Sequence, residues 1–175
     1  MSAIRRRALG LALALLVYGL DQWIKGLLLW RHHLSELRVI EILPFFDLRW
    51  TVNYGISLGL LTANSAEMRW LLVALTAAVA LAVLVWMLRE KRMGDIAPLA
   101  MVLGGAMGNI HDRVAMGFVF DYADLHFGEF RPFLIFNFAD AAISVGVVII
   151  LARSFLSREK PQDPAPDGEG ATSEN

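Results

Sequence analysis

The stretch F-N-F-A-D-A-A-I-S-V-G-V-V-I-I, residues 136–150, decides how the rest of the chain is read. Its apolar run is long enough for a membrane helix, yet it carries Asn137 and Asp140 near its start. A carboxylate in hydrocarbon costs a few kcal/mol at least, and no basic residue shares the helix face of Asp140 to offset it. An intramembrane carboxylate without a cation of its own points to a site.

The whole chain fits a membrane setting. It has 175 residues, 57% of them hydrophobic, with a mean hydropathy of +0.52, and the apolar residues come in long blocks. The formal net charge of -1 offers no basic field for nucleic acid, so no nucleic-acid partner is expected. Without cysteine there is no disulfide, thiol nucleophile or thiolate metal site. His111 and His126 lack the partners a metal site needs, so neither metal nor cofactor is expected. H-E-x-x-H is missing and no serine elbow with a partnered histidine is evident, which sets aside zinc and serine chemistry of those types.

Four spans are expected, at about residues 8–30, 70–88, 96–114 and 133–152, giving a mainly α membrane protein. Arg5, Arg6 and Arg7 precede the first span, Arg89, Lys91 and Arg92 separate the second and third, and Arg153, Arg158 and Lys160 follow the fourth. All three clusters fall on one side, which the positive-inside rule makes cytoplasmic, with both termini. The first span resembles a signal peptide, but no small-x-small cleavage site follows it, so it is expected to be retained. Residues 159–175, rich in Pro, Gly and acids, read as a disordered cytoplasmic tail behind a single membrane domain of residues 1–158.

The outer segments are then about residues 31–69 and 115–132. Phe46, Leu48, Trp50 and Val52 alternate with Asp47, Arg49, Thr51 and Asn53, the pattern of a strand with one apolar face. Residues 37–43 supply a partner strand that ends at Pro44, so a small extracytoplasmic sheet, a cradle on the outer face, is expected. Gly55 and Gly59 permit bends, and Asn64 with Glu67 resembles a capping box for the second span. Trp23, Trp30, Trp50 and Trp70 suit the membrane interface.

Topology gathers the polar residues into one layer. Asp21 lies roughly 13 Å from the outer end of the first span and Asp140 roughly 10 Å below that of the fourth, at about 1.5 Å per residue. Asn109, Asp112 and Arg113 close the third span and share a face, as do Asn137 and Asp140. Asp21 and Lys25, four apart with the acid first, are either a self-neutralising pair or part of the site. Asp112 with Arg113 reads first as structural, and Gly104, Gly105 and Gly108 as seats for close helix packing. A second carboxylate for Asp140 comes from the outer loop, either Asp121 or Asp124. Two carboxyl groups about 3 Å apart share one proton and can run acid–base hydrolysis. A small proton- or ion-coupled transporter is the alternative, although its polar residues would line both sides of a central site.

Five blocks carry a resemblance: L-D-Q-W-I-K at Leu20 to Lys25, V-N-Y-G at Val52 to Gly55, G-G-A-M-G-N-I-H-D-R at Gly104 to Arg113, V-F-D-Y at Val119 to Tyr122 and F-N-F-A-D-A at Phe136 to Ala141. In this order they resemble the lipoprotein signal peptidases (signal peptidase II), membrane aspartic proteases that trim bacterial prolipoproteins. The resemblance implies that Asp121 and Asp140 are the catalytic pair and leaves Asp124 as the fallback. It places Asn53, Gly55, Asn109, Arg113 and Asn137 around them, with Asp21, Lys25 and Asp112 in support. It also implies cleavage before the lipidated cysteine of a diacylglyceryl-modified prolipoprotein, in the bacterial inner membrane near its periplasmic face. The enzyme is expected to act as a monomer, with its substrate and membrane lipids as partners and no cofactor.

Overall fold

A computed structural model describes residues 1–55 and 66–156. Gly59, Asn64 and the tail from residue 159 lie outside the described residues. Among the described residues, four helices are long and apolar enough to cross a membrane. These are α1 (Ala3–Gly26), extended by a π-helical turn Leu27–Arg31, then α3 (Ala66–Arg89), α4 (Met93–Ala115) and α5 (Phe138–Leu156). A one-turn helix α2 (Leu34–Leu37) follows the first span. Strands β1 (Val39–Leu43), β2 (Phe46–Asn53) and β3 (Val119–Leu125) form one antiparallel sheet in the order β1-β2-β3.

The expected spans are found with shifted ends, each for a local reason. α1 begins five residues earlier than residue 8, because Ser2 Oγ accepts the N–H of Arg5 and caps a first turn that includes the arginines. α5 begins at Phe138 rather than at residue 133, because the chain before it is held extended. Phe136 and Ala123 exchange backbone hydrogen bonds of 2.8 and 3.2 Å, and Asn137 then caps the helix. Asp140 therefore occupies the first turn of α5, and the depth of roughly 10 Å expected for it along a helix is corrected to less than one turn.

α4 is the central helix. Half of its most apolar window is buried, against 17% for α5, and it packs on α1, α3 and α5. Glycines permit this. A Cβ on Gly104 would run into the carbonyl of Ala14 on α1, and one on Gly105 would lie 2.5 Å from the carbonyl of Ala139 on α5. Ala14, Met87, Ile96, Leu99, Ala100 and Leu103 make an apolar core on the side away from the sheet. A second cluster of Leu28, Leu34, Phe120, Tyr122 and Ala123, backed by Leu48 and Trp50, seats the sheet on the end of α1.

Phe46, Leu48 and Trp50 of β2 do pack on the apolar cluster, but a register shift against β3 between Leu48 and Thr51 interrupts the expected alternation, and the polar side is not simply solvated. Asp47 and Asp124 face each other across the β2–β3 pair, both buried. Arg49 reaches Asp124 at 2.9 Å, Arg131 reaches it at 3.1 Å, and His126 lies 3.1 Å from Asp47. β3 itself falls in a segment expected to be loop. Its composition, V-F-D-Y-A-D-L, lacks clean alternation because most of the strand is buried.

Replacing Gly105 with Val forces the α4–α5 contact apart and is expected to destabilise the bundle by about 1–3 kcal/mol. Thermal unfolding in detergent checks this; an unchanged midpoint contradicts the packing described.

Candidate active site

The first turn of α5 receives its partners from two other elements and from its own cap residue. Phe138 N–H donates to the Tyr122 hydroxyl at 3.1 Å, Ala139 N–H to Asp21 Oδ1 at 3.0 Å, and Asp140 N–H to Asn137 Oδ1 at 2.9 Å. Asp140 Oδ2 accepts the N–H of Asn137 at 3.2 Å, which completes a reciprocal capping box. The helix dipole at this end favours a negative group where the Asp140 carboxylate lies.

Asn137 then links this carboxylate to β3. Its Nδ2 donates to Asp121 Oδ1 at 2.7 Å and to Asn109 Oδ1 at 3.1 Å. Asn109 Nδ2 donates in turn to Asp140 Oδ1 at 2.8 Å. Asn53 Nδ2 supplies the other oxygen of Asp121 at 3.0 Å. Among the described residues, each carboxylate thus accepts two hydrogen bonds from uncharged donors and none from a cation. The amides orient Asp121 and Asp140 without neutralising them.

Arg113 is buried beside the pair, and its hydrogen bonds go to backbone carbonyls. Its guanidinium donates to the carbonyls of Gly55 (2.9 Å) and Asn109 (3.2 Å), while Gly55 N–H donates to Asn53 Oδ1 at 3.0 Å. Arg113 therefore fixes the turn that carries Asn53. The Arg113–Asp112 neighbours do not act as a pair. Asp112 accepts from Lys25 at 2.7 Å, from Gln22 at 3.0 Å and from Phe120 N–H at 3.2 Å. Asp21 and Lys25 do meet, at 2.8 Å, but as part of this larger group rather than as a self-contained pair.

Asp124 is separated from all of this. Three residues along a strand put Asp121 and Asp124 on opposite sides of it. Asp121 meets Asn137 and Asn53, whereas Asp124 is held by Arg49 and Arg131. Gln22 and Tyr122, which take part in the network, were not singled out from the sequence. Both stand beside residues that were, within L-D-Q-W-I-K and V-F-D-Y.

Burial pushes the carboxyl of Asp121 up from the ordinary value to about 7, and the nearby charge of Asp140 adds to the rise. Hydrogen bonds from Asn53 and Asn137 and the charge of Lys25 work in the other direction. The phenol of Tyr122 is also pushed up, chiefly by burial, so it stays neutral.

Residues 13–156 match the family model described as Signal peptidase (SPase) II. A lipoprotein signal peptidase of Rhizorhabdus wittichii is 50% identical over 159 residues, covering 91% of this chain and 92% of that protein. One of Sphingopyxis alaskensis is 48% identical over 151 residues, covering 86% and 87%. Among solved structures, a bacterial membrane enzyme determined by the in meso method at 2.3 Å resolution superposes with a TM-score of 0.73. It is 22% identical, covering 90% of this chain and 94% of that one.

The raised carboxyl of Asp121 makes folding stability depend on pH. Its contribution is fully present below the unfolded value of 3.8 and is lost as pH rises through about 7. Asp121→Asn is expected to flatten this part of the curve of unfolding midpoint against pH. An unchanged curve would mean that Asp121 is not held protonated by its surroundings.

Proposed function

Because the chain belongs to the signal peptidase II family, we propose that it is an aspartic peptidase that uses Asp121 and Asp140 to remove the signal peptide from diacylglyceryl-modified prolipoproteins, cutting before the lipidated cysteine. The observation that carries this reading is the bridge Asp121–Asn137–Asn109–Asp140, which links two carboxylates from separate elements, neither of them paired with a cation among the described residues.

In this reading the pair holds one proton. The ionised member takes a proton from a water as that water attacks the scissile carbonyl carbon. The protonated member donates a hydrogen bond to the carbonyl oxygen, where negative charge develops, and a proton then passes to the leaving amine as the C–N bond breaks. Asn137, Asn109 and Asn53 keep both carboxylates aimed while the proton moves, because an amide donor serves either charge state. The lipid on the substrate cysteine fixes the cleavage point at the membrane boundary, and the first turn of α5 lies where a helix leaves the bilayer.

Orientation follows from charge. Arg7 donates to the Leu88 carbonyl and Arg153 to Asp95, so the described arginines of the basic clusters share the end of the bundle remote from the sheet. With that end cytoplasmic, the sheet and the carboxyl pair face the periplasmic side of the inner membrane. The enzyme is read as a monomer whose partners are its lipidated substrate and the surrounding lipid, and no cofactor enters the mechanism.

Asp121→Asn and Asp140→Asn are each expected to lower kcat on a lipidated precursor by at least about 1,000-fold, and the double variant no further, because the two groups act as a unit. Wild-type activity is expected to fall as pH rises through about 7 and the shared proton is lost. Cleavage by purified protein in detergent measures both. Either single variant retaining wild-type kcat would refute the assignment.

A further inference from the structure

Lys25 lies where α1, α4, β3 and α5 meet, and no step above uses it. Its buried ammonium is 2.8 Å from Asp21 Oδ2 and 2.7 Å from Asp112 Oδ2. Each of these buried carboxylates also accepts one backbone N–H from another element. Asp21 Oδ1 takes that of Ala139, and Asp112 Oδ2 takes that of Phe120. Ala139 directly precedes Asp140, and Phe120 directly precedes Asp121. Gln22 Nε2 spans the same two carboxylates, at 3.1 Å from Asp21 and 3.0 Å from Asp112.

We infer that Lys25 is the positioning residue of the carboxyl pair: by drawing Asp21 and Asp112 onto one ammonium, it fixes the spacing of the two backbone segments that present Asp140 and Asp121. The inference rests on reading Asp121 and Asp140 as the hydrolytic pair.

Three features separate this role from simple cohesion. Buried ion clusters are often no more stabilising than apolar residues of the same volume, so joining the helices does not call for one. The helices are already closed elsewhere by Gly104 and Gly105. Room has also been left for the cluster, since a Cβ on Gly108 would run into Asp21 Oδ2. A charged acceptor holding a peptide N–H is a strong and directional constraint. Here there are two, one beside each acid, with a common cation behind them.

Lys25→Met and Asp112→Asn test this in purified protein with a lipidated precursor peptide, per folded molecule and well below the unfolding midpoint. Asp112→Asn keeps an oxygen for Phe120 N–H and leaves Lys25 balanced by Asp21, so it serves if Lys25→Met does not fold. Misplacing reacting groups by about 1 Å costs on the order of 100-fold, so kcat is expected to fall about 100-fold in Lys25→Met and roughly tenfold in Asp112→Asn, with KM within about twofold of wild type. The chain has no cysteine, so Lys25→Cys carries a single thiol. Once aminoethylated, as verified by mass, it returns an ammonium to nearly the lysine position and is expected to recover most of kcat. A wild-type kcat in either folded variant, a loss confined to KM, or an aminoethylated protein that regains its unfolding midpoint but not kcat would overturn the inference. Asp121→Asn serves as the control. If it cleaves normally, the hydrolytic reading fails; if it is inactive while Lys25→Met keeps kcat, only the positioning role fails.

Discussion

Two carboxylates that lie close together and away from water cannot both hold a charge cheaply, and the surroundings of Asp121 and Asp140 follow from that constraint. The chain does not answer it with a salt bridge. It uses amides from Asn137, Asn109 and Asn53, which orient a carboxylate and leave its charge to be settled by a proton. Arg113 donates from its two terminal guanidinium nitrogens to backbone carbonyls. Lys25 is committed to Asp21 and Asp112. Four carboxylates and two cations share the layer, so one retained proton lowers the net negative charge there from two to one.

The fold is arranged to deliver this layer. α4 passes through the centre of the bundle and brings Asn109, Asp112 and Arg113 to the end where the sheet sits. Glycines along α4 let α1 and α5 come close enough for side chains on three helices to share hydrogen bonds. The sheet contributes Asn53 and Asp121 from neighbouring strands. Its apolar cluster on α1 and the Asp47–Asp124 ion group further along the strands keep β3 in register above the first turn of α5. Apolar packing lies on both sides of the polar layer.

Much of this was legible in the sequence, because hydrocarbon leaves few choices. Long apolar runs had to be helices, β2 showed a two-residue period, and costly polar residues at matching depth had to meet. The parts that were not legible depend on tertiary pairing. β3 read as loop because burial of most of its residues erased its alternation. With it went the pleat that separates Asp121 from Asp124, which spacing alone left open. The start of α5 was placed five residues early, because Phe133, Leu134 and Ile135 are as apolar as a helix interior. The backbone pairing of Phe136 with Ala123 and the cap at Asn137 set the start of the helix there. The two links from Lys25 to backbone beside each acid were invisible for the same reason: they join residues 118 and 8 positions apart in the chain through main-chain N–H groups.

Isotope-edited infrared spectroscopy of the lipid-embedded protein, with aspartate labelled at the side-chain carboxyl carbon, tests the shared proton most directly. A protonated aspartate band that persists to near-neutral pH, titrates with an apparent pKa of about 7 and shifts to lower pH in Asp140→Asn is the expected result. A spectrum with every aspartate ionised well below that pH, or a band that survives the Asp140 substitution unchanged, would contradict the account.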